Sequence, residues 1–272
     1  MSLSYLSDDD PRLLARSSAL EVRLVDTAPE IEAAQALRFE VFYREMGAIA
    51  SPEMAAAGRD FDKYDDICDH MLVFDRAERD AKGNPRVVGG YRLLRHAVAE
   101  KHGGFYSAGE YDIAPMQAKA GPGAKLGRSA ILKPYRTGPT MTLLWRGLMT
   151  YLIRNEIEVM FGCASLPGTD PQALALPLSY LHHFYLAPPE LRVRARPELY
   201  VDMNLMPKDA IDEAEGERSL PPLVKGYVRA GAYIGEGAVI DRQFATTDVF
   251  IMFPTSRIDP RYMAFFKKKA GG

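Results

Sequence analysis

Lys125-Leu126-Gly127-Arg128-Ser129-Ala130-Ile131-Leu132-Lys133-Pro134-Tyr135-Arg136-Thr137-Gly138-Pro139 is the stretch that decides the fold. A short apolar run with small residues predicts a strand over 125–132. Proline and glycine then punctuate a turn. A helix follows over about 140–155, where Leu144, Leu148, Tyr151 and Leu152 make an apolar stripe. The first N–H groups of such a helix have no partner within it, so the turn at Arg136, Thr137 and Gly138 can receive a phosphate. An ordinary strand–turn–helix corner would carry the same residues.

Working outward, Val22 to Val25 predicts a strand, and Asp26-Thr27-Ala28-Pro29 a helix start with Thr27 as cap. Ile31, Ala34, Leu37, Val41 and Phe42 recur every three or four residues, which predicts an amphipathic helix from Glu30 to Met46, stopped by Gly47. Residues 48–66 read as irregular and acidic, with Asp60, Asp62, Asp65 and Asp66 close together. His70 to Phe74 and Arg86 to Leu94 predict a hairpin across Lys82-Gly83-Asn84-Pro85. Beyond the central helix, Val159 to Ala164 predicts a strand, 171–184 a helix, and Leu191 to Arg196 an extended segment. An acidic linker over 207–219 and a last α/β segment over 220–253 complete the pattern. The alternation implies an α/β or α+β fold with a mixed sheet flanked by helices. Residues 1–20 read as a loose leader, 21–266 as a single domain with a C-terminal extension from about 190, and 267–272 as a basic tail.

The 272 residues are 47% hydrophobic and 26% charged, in the range of a folded soluble protein. A net charge of −2 argues against nucleic acid as the partner of the whole surface. Cys68 and Cys163 are too few and too far apart for a disulfide framework or a zinc site, so a reducing cytoplasm is the simplest setting. No apolar run reaches the roughly 20 residues that span a bilayer, and Met1 to Asp10 lacks the basic and apolar regions of a secretory signal.

Ordered motifs then accumulate. Leu37-Arg38-Phe39-Glu40-Val41-Phe42-Tyr43-Arg44-Glu45-Met46-Gly47, Asp62-Lys63-Tyr64-Asp65, Val88-Gly89-Gly90-Tyr91-Arg92-Leu93-Leu94, Leu126-Gly127-Arg128-Ser129 and Phe161-Gly162-Cys163-Ala164-Ser165-Leu166-Pro167-Gly168 follow one another. The chain resembles the ornithine–acyl-carrier-protein N-acyltransferases over about residues 22 to 265. That family is similar in its N-terminal half to the acyl-homoserine-lactone synthases. The resemblance implies a GNAT-like acyltransferase fold with a mixed, splayed central sheet. It also implies transfer of a 3-hydroxy fatty acyl chain from acyl carrier protein to an amino acid's α-amine, making a lyso-aminolipid. The donor arm would be the 4'-phosphopantetheine of acyl carrier protein, with no permanently bound cofactor and no metal. An acyl-homoserine-lactone synthase and a catalytically silent carrier-binding module remain the alternatives.

One position departs from the pattern. The family usually carries Glu-Leu-Gly-Arg-Ser where this chain has Lys125-Leu126-Gly127-Arg128-Ser129. A carboxylate becoming an ammonium reverses a local charge, which opens a neutral acceptor such as glutamine beside ornithine.

Amide formation from a thioester needs a neutral amine and a fixed carbonyl. The strands at 125–132 and 159–164 are the candidates for the splayed pair that exposes backbone N–H groups to the donor, with Arg136, Thr137 and Gly138 at the pantetheine phosphate. Glu45, Asp62 and Asp65 with Arg38, Arg92 and Arg128 suggest a charged network around the acceptor. Phe42, Lys125 and Ser129 join the substrate-binding set. Glu45, Asp62, Asp65 and Glu110 are the carboxylates that could take the amine's proton. Solvated surface pairs would use the same charges. Cys163, in an apolar strand without an adjacent base, reads as an inert thiol. His182 and His183 point about 100° apart on a helix and suit a structural or pocket-lining role. Arg192, Arg194 and Arg196 alternate on one face and offer a docking strip for the acidic carrier protein. The Lys267-Lys268-Lys269 tail could serve the same partner, or hold the protein peripherally at anionic lipid headgroups on the inner membrane face.

Overall fold

The computed structural model describes residues 9–81 and 83–258. In chain order the strands are β1 (Leu13–Ser17), β2 (Leu20–Val25), β3 (Asp69–Arg79), β4 (Pro85–Arg95), β5 (Tyr111–Asp112), β6 (Gly123–Ile131), β7 (Val159–Pro167), β8 (Arg194–Ala195), β9 (Tyr233–Asp241) and β10 (Thr246–Pro254). The helices are α1 (Ala28–Phe39), α2 (Pro52–Ala57), α3 (His96–Ala99), α4 (Ala114–Lys119), α5 (Gly138–Arg154), α6 (Ala175–Tyr185), α7 (Glu213–Ser219) and α8 (Pro222–Arg229). Among the described residues the chain divides into two compact units. Residues 9–94 and 126–156 make one, and 95–125 and 157–258 the other, where the sequence reads as one domain.

In the first unit β1, β2, β3 and β4 pair antiparallel in sequence order, and the second half of β6 lies beside β4. Side chains alternate across a sheet, so the register fixes what each face carries. Val22 stands opposite Val73, and Leu24 opposite Met71, which puts Val22 and Met71 on one face, under α5. Val25, Leu72 and Phe74 turn to the other face and pack with Ala34 of α1. Two helices thus cover the two faces of one sheet. The predicted α5 is present, and Thr137 caps it by accepting from the Thr140 N–H at 3.4 Å.

The second unit holds a mixed sheet. The start of β6 runs parallel to β7 from Gly123↔Val159 to Lys125↔Phe161. β10 is antiparallel to both β7 and β9, β8 is parallel to β9, and β5 is antiparallel to β8. Phe105, Phe161, Phe250 and Tyr111 pack successively through its core, edge-on, stacked and tilted in turn, with ring centroids 4.8, 5.8 and 5.2 Å apart.

Several boundaries differ from the sequence reading. β1 lies inside the expected leader because Leu14 and Ala15 bury against the sheet. The helix expected to reach Met46 is α-helical only to Phe39, then widens into a π-helix over Glu40–Glu45 before Gly47 turns at φ +79°. Thr27 sits at the α1 cap, but its hydroxyl donates to Glu30 instead of accepting from the backbone. The extended segment at 191–196 shrinks to β8, after a short 3-10 turn at Pro189–Leu191. The 48–66 region contains α2. The Lys267–Lys269 tail lies outside the described residues.

The α5 contact makes a stability prediction. A Cβ on Gly147 would stand 2.5 Å from Cγ1 of Val22, whereas one on Gly226 of α8 meets nothing within 4 Å. Gly147→Ala should lower the unfolding free energy by about 1–3 kcal/mol in urea titrations, despite alanine's better helix propensity. Gly226→Ala should be neutral or stabilise by up to ~1 kcal/mol.

Candidate active site

In the first unit, three arginines meet three aspartates. Arg38 comes from the last turn of α1, Arg92 from β4 and Arg128 from β6. The aspartates come from the loop between α2 and β3. Arg38 donates from Nε to Asp60 at 2.7 Å and from Nη2 to Asp65 at 2.8 Å, and also to the Asp60 carbonyl at 2.6 Å. Arg92 grips Asp62 with two parallel bonds, at 2.6 and 2.9 Å, and reaches Asp65 at 3.1 Å. Arg128 stands 3.2 Å from Asp60 and 3.6 Å from Asp62. The Gln35 amide donates to Asp65, the Tyr43 hydroxyl to Asp60, and His70 Nε2 lies 2.9 Å from the Asp65 carbonyl.

Arg38, Arg92, Asp60 and Asp65 are buried, whereas Asp62 and Arg128 keep about a quarter of their side-chain surface (28% and 26%). Those two form the open rim of the network. Burial opposes ionisation of Asp65, but Arg38 and Arg92 outweigh it and hold its carboxyl below the ordinary 3.8; Arg92 does the same for Asp62. Burial holds His70 below its ordinary value, so it stays neutral at pH 7, and raises the Tyr43 phenol to about 12.

Arg128 has φ +51° within a strand. The other non-glycine residues with positive φ among the described residues, Ser18, Glu156 and Ala245, sit in turns. A left-handed residue costs of order 1 kcal/mol. Here the aspartate contacts hold it, and the kink takes backbone out of the regular pleat in the stretch that leads to the turn before α5. Ser129, partly exposed, follows it. Phe42 packs against the cluster of Leu37, Val41 and Ala130.

Two expected roles change. Glu45 does not join the aspartates: it takes two bonds from Arg136, at 2.6 and 2.7 Å, which hold its carboxyl below the ordinary range. Arg136 also donates Nε to the Ile131 carbonyl, so its guanidinium is already engaged where a free phosphate ligand was expected. Thr137 and Gly138 stand at the helix start as anticipated.

The second unit carries its own polar group. Lys125 is only 4% exposed, and its ammonium rests 3.3 Å from the centre of the Tyr106 ring. The Cys163 thiol donates to Glu110 at 3.4 Å. Burial first, then Glu110 and Asp248, push this thiol well above its ordinary value, against the pull of Lys125, so it stays protonated and is no nucleophile. Burial also raises Asp248 to about 6, against hydrogen bonds from Thr246 and Ser165. Arg192 and Arg194 both face Glu236, at 4.0 and 3.4 Å, while Arg196 donates to the Ala108 carbonyl. His183 Nε2 lies 2.9 Å from the Met206 carbonyl.

Asp60, Gln35, Tyr43, His70, Tyr106 and Asp248 were absent from the sequence-derived site. Asp60 stood in the acidic run but could not be told from its neighbours. Tyr106 and Asp248 carry no local pattern that sets them apart in the sequence.

Residues 37–146 match the acetyltransferase (GNAT) domain model. The L-ornithine N(alpha)-acyltransferase of Rhizobium meliloti is 48% identical over 263 residues, covering 95% of this chain and 88% of that protein. The one from Brucella abortus is 48% identical over 269 residues, covering 98% and 95%. The chain belongs to the L-ornithine N(alpha)-acyltransferase family. Among solved structures, the AHL synthase LasI is similar at TM-score 0.45 and 14% identity, over 88% of this chain and 91% of that one. Family membership agrees with the motif order and makes the chain a GNAT-type acyltransferase. Among the described residues no helix is long and apolar enough to cross a membrane.

Asp65→Asn removes one counter-charge from two buried guanidiniums and should cost about 3–5 kcal/mol in chemical denaturation at pH 7. Because the folded carboxyl titrates below 3.8, its contribution is complete above that value and is lost as pH falls through the folded pKa. The gap between wild type and variant should therefore close below about pH 4.

Proposed function

We propose that this chain transfers a 3-hydroxy fatty acyl group from the 4'-phosphopantetheine thioester of acyl carrier protein to the α-amine of ornithine, making a lyso-aminolipid. The observation that carries this reading is the 48% identity to ornithine Nα-acyltransferases along nearly the whole chain. The same support favours ornithine over glutamine as acceptor. The donor stays in the reading because the capped start of α5, with Thr137 and Gly138, suits a pantetheine phosphate. Arg192, Arg194 and Arg196 are proposed to steer the acidic carrier, and a cytoplasmic setting suits two free thiols.

Among the four candidate carboxylates, arginines claim three. Asp62, Asp65 and Glu45 are each held in the ionised form, which makes them weak bases. Glu110 contacts a thiol instead, and among the described residues it has no arginine partner. Glu110 is therefore proposed to take a proton from the α-ammonium. The neutral amine's lone pair then forms the C–N bond, and the C–S electron pair leaves with the pantetheine sulfur. That thiolate takes the second N–H proton. The products are an amide, a free thiol and one proton on Glu110 that passes to solvent. The Arg38–Arg92–Arg128 network is proposed to shape the charged rim of the first unit without itself moving a proton.

Purified protein incubated with 3-hydroxyacyl carrier protein or the matching coenzyme A thioester, and with ornithine or glutamine, tests this by mass spectrometry. Acyl-ornithine formed from the carrier thioester is expected, and Glu110→Gln should lower kcat by about 100-fold or more. Absence of acyl-ornithine with either donor would overturn the assignment. Turnover with the coenzyme A thioester alone would overturn the donor.

A further inference from the structure

A lysine buried to 4% exposure needs a reason to keep its charge, because desolvating an ammonium is costly unless something answers it. The Lys125 ammonium has the face of Tyr106 and, among the described residues, no ion pair within 4.0 Å. A carboxylate belongs to the same face: Cys163 lies two residues beyond Phe161, the register partner of Lys125, and its thiol donates to Glu110 at 3.4 Å. So a cation and an anion share one face of this sheet, and among the described residues no ion pair within 4.0 Å joins them. Tyr106 and Glu110 are partly exposed, which opens this group to the surface. Phe161, which packs edge-on with Phe105, is registered opposite Lys125 itself, so the lysine's backbone is fixed by the parallel ladder.

A separated cation and anion are the complement of an amino acid's own backbone, whose α-carboxylate and α-ammonium lie on one carbon. We infer that Lys125 binds the α-carboxylate of the acceptor while Glu110 receives its α-ammonium, so that Lys125 selects for acceptors with a free carboxylate. This rests on the amino-acid acceptor of the proposed function and adds what fixes that acceptor's orientation. It also changes the reading of the charge reversal at position 125. An ammonium there repels the side-chain cation of ornithine only if that cation is the group it meets. Facing the α-carboxylate, it attracts, and the side-chain amine points elsewhere. Lys125 is then a specificity residue, and Tyr106 holds its ammonium in place without touching substrate.

Steady-state kinetics with ornithine and with ornithinamide, which lacks the negative charge, separate these possibilities in wild type, Lys125→Met and Lys125→Arg. Wild type should prefer ornithine in kcat/KM on the order of 100-fold, because the amide leaves the buried ammonium unanswered. Lys125→Met should lose most of the ornithine rate, carried mainly in KM, while its ornithinamide rate barely moves, so the preference collapses. Lys125→Arg should retain a clear preference. Equal losses on both acceptors in Lys125→Met, or no preference in wild type, would overturn the inference while leaving ornithine acylation standing. If Lys125→Met fails to fold by circular dichroism, the wild-type and Lys125→Arg preferences decide. If no acceptor turns over, the proposed function fails instead, and calorimetric titration of ornithine against ornithinamide decides the carboxylate site: tighter binding of ornithine supports it, equal binding overturns it.

Discussion

The first unit depends on charge neutralisation out of water. Arg38 and Arg92 are almost fully buried, and each would be prohibitive there alone. Asp60, Asp62 and Asp65 answer them in a loop that has little regular structure of its own, so the ion pairs both stabilise the arginines and give the loop its shape. Removing one partner leaves an uncompensated charge, which is why such a network resists change more strongly than its net contribution to stability would suggest. Arg128 extends the same network to the surface. Its contacts with Asp60 and Asp62 hold a left-handed residue inside β6, close in sequence to the turn that starts α5.

The strand β6 therefore concentrates most of the chemistry in nine residues. Lys125 lies at the end of its parallel register, Arg128 at its kink, and the capped helix start follows. Charge division explains the proposed roles. Carboxylates that arginines hold ionised can position and attract, but they are poor proton acceptors. Glu110 contacts a thiol and, among the described residues, no arginine, and Lys125 is a cation without an ion pair within 4.0 Å there.

Much of this was legible in the sequence because local physics dominates there. Proline, glycine and an apolar stripe at helical spacing place the turn and α5, and the turn-forming residues Gly83 and Asn84 place the β3–β4 hairpin. Arg38, Asp62, Asp65, Arg92 and Arg128 were likewise found as a group. What stayed hidden depended on distant partners. Glu45 and Arg136 are 91 positions apart and neutralise each other, so neither looks paired in the sequence. Asp60 is one aspartate among four until Arg38 chooses it. The alternation of Arg192, Arg194 and Arg196 suggests a long strand, yet Arg192 and Arg196 donate to the carbonyls of Ala187 and Ala108, and only a two-residue strand remains.

The account's central claim is that the acceptor is held by its α-carbon substituents, with the α-amine as the nucleophile. Ornithine has a second amine, so the reaction itself can report which end is held. Fragmentation mass spectrometry of the enzymatic acyl-ornithine locates the amide directly. The account predicts the acyl chain on Nα with the δ-amine free; an acyl chain on Nδ would contradict it.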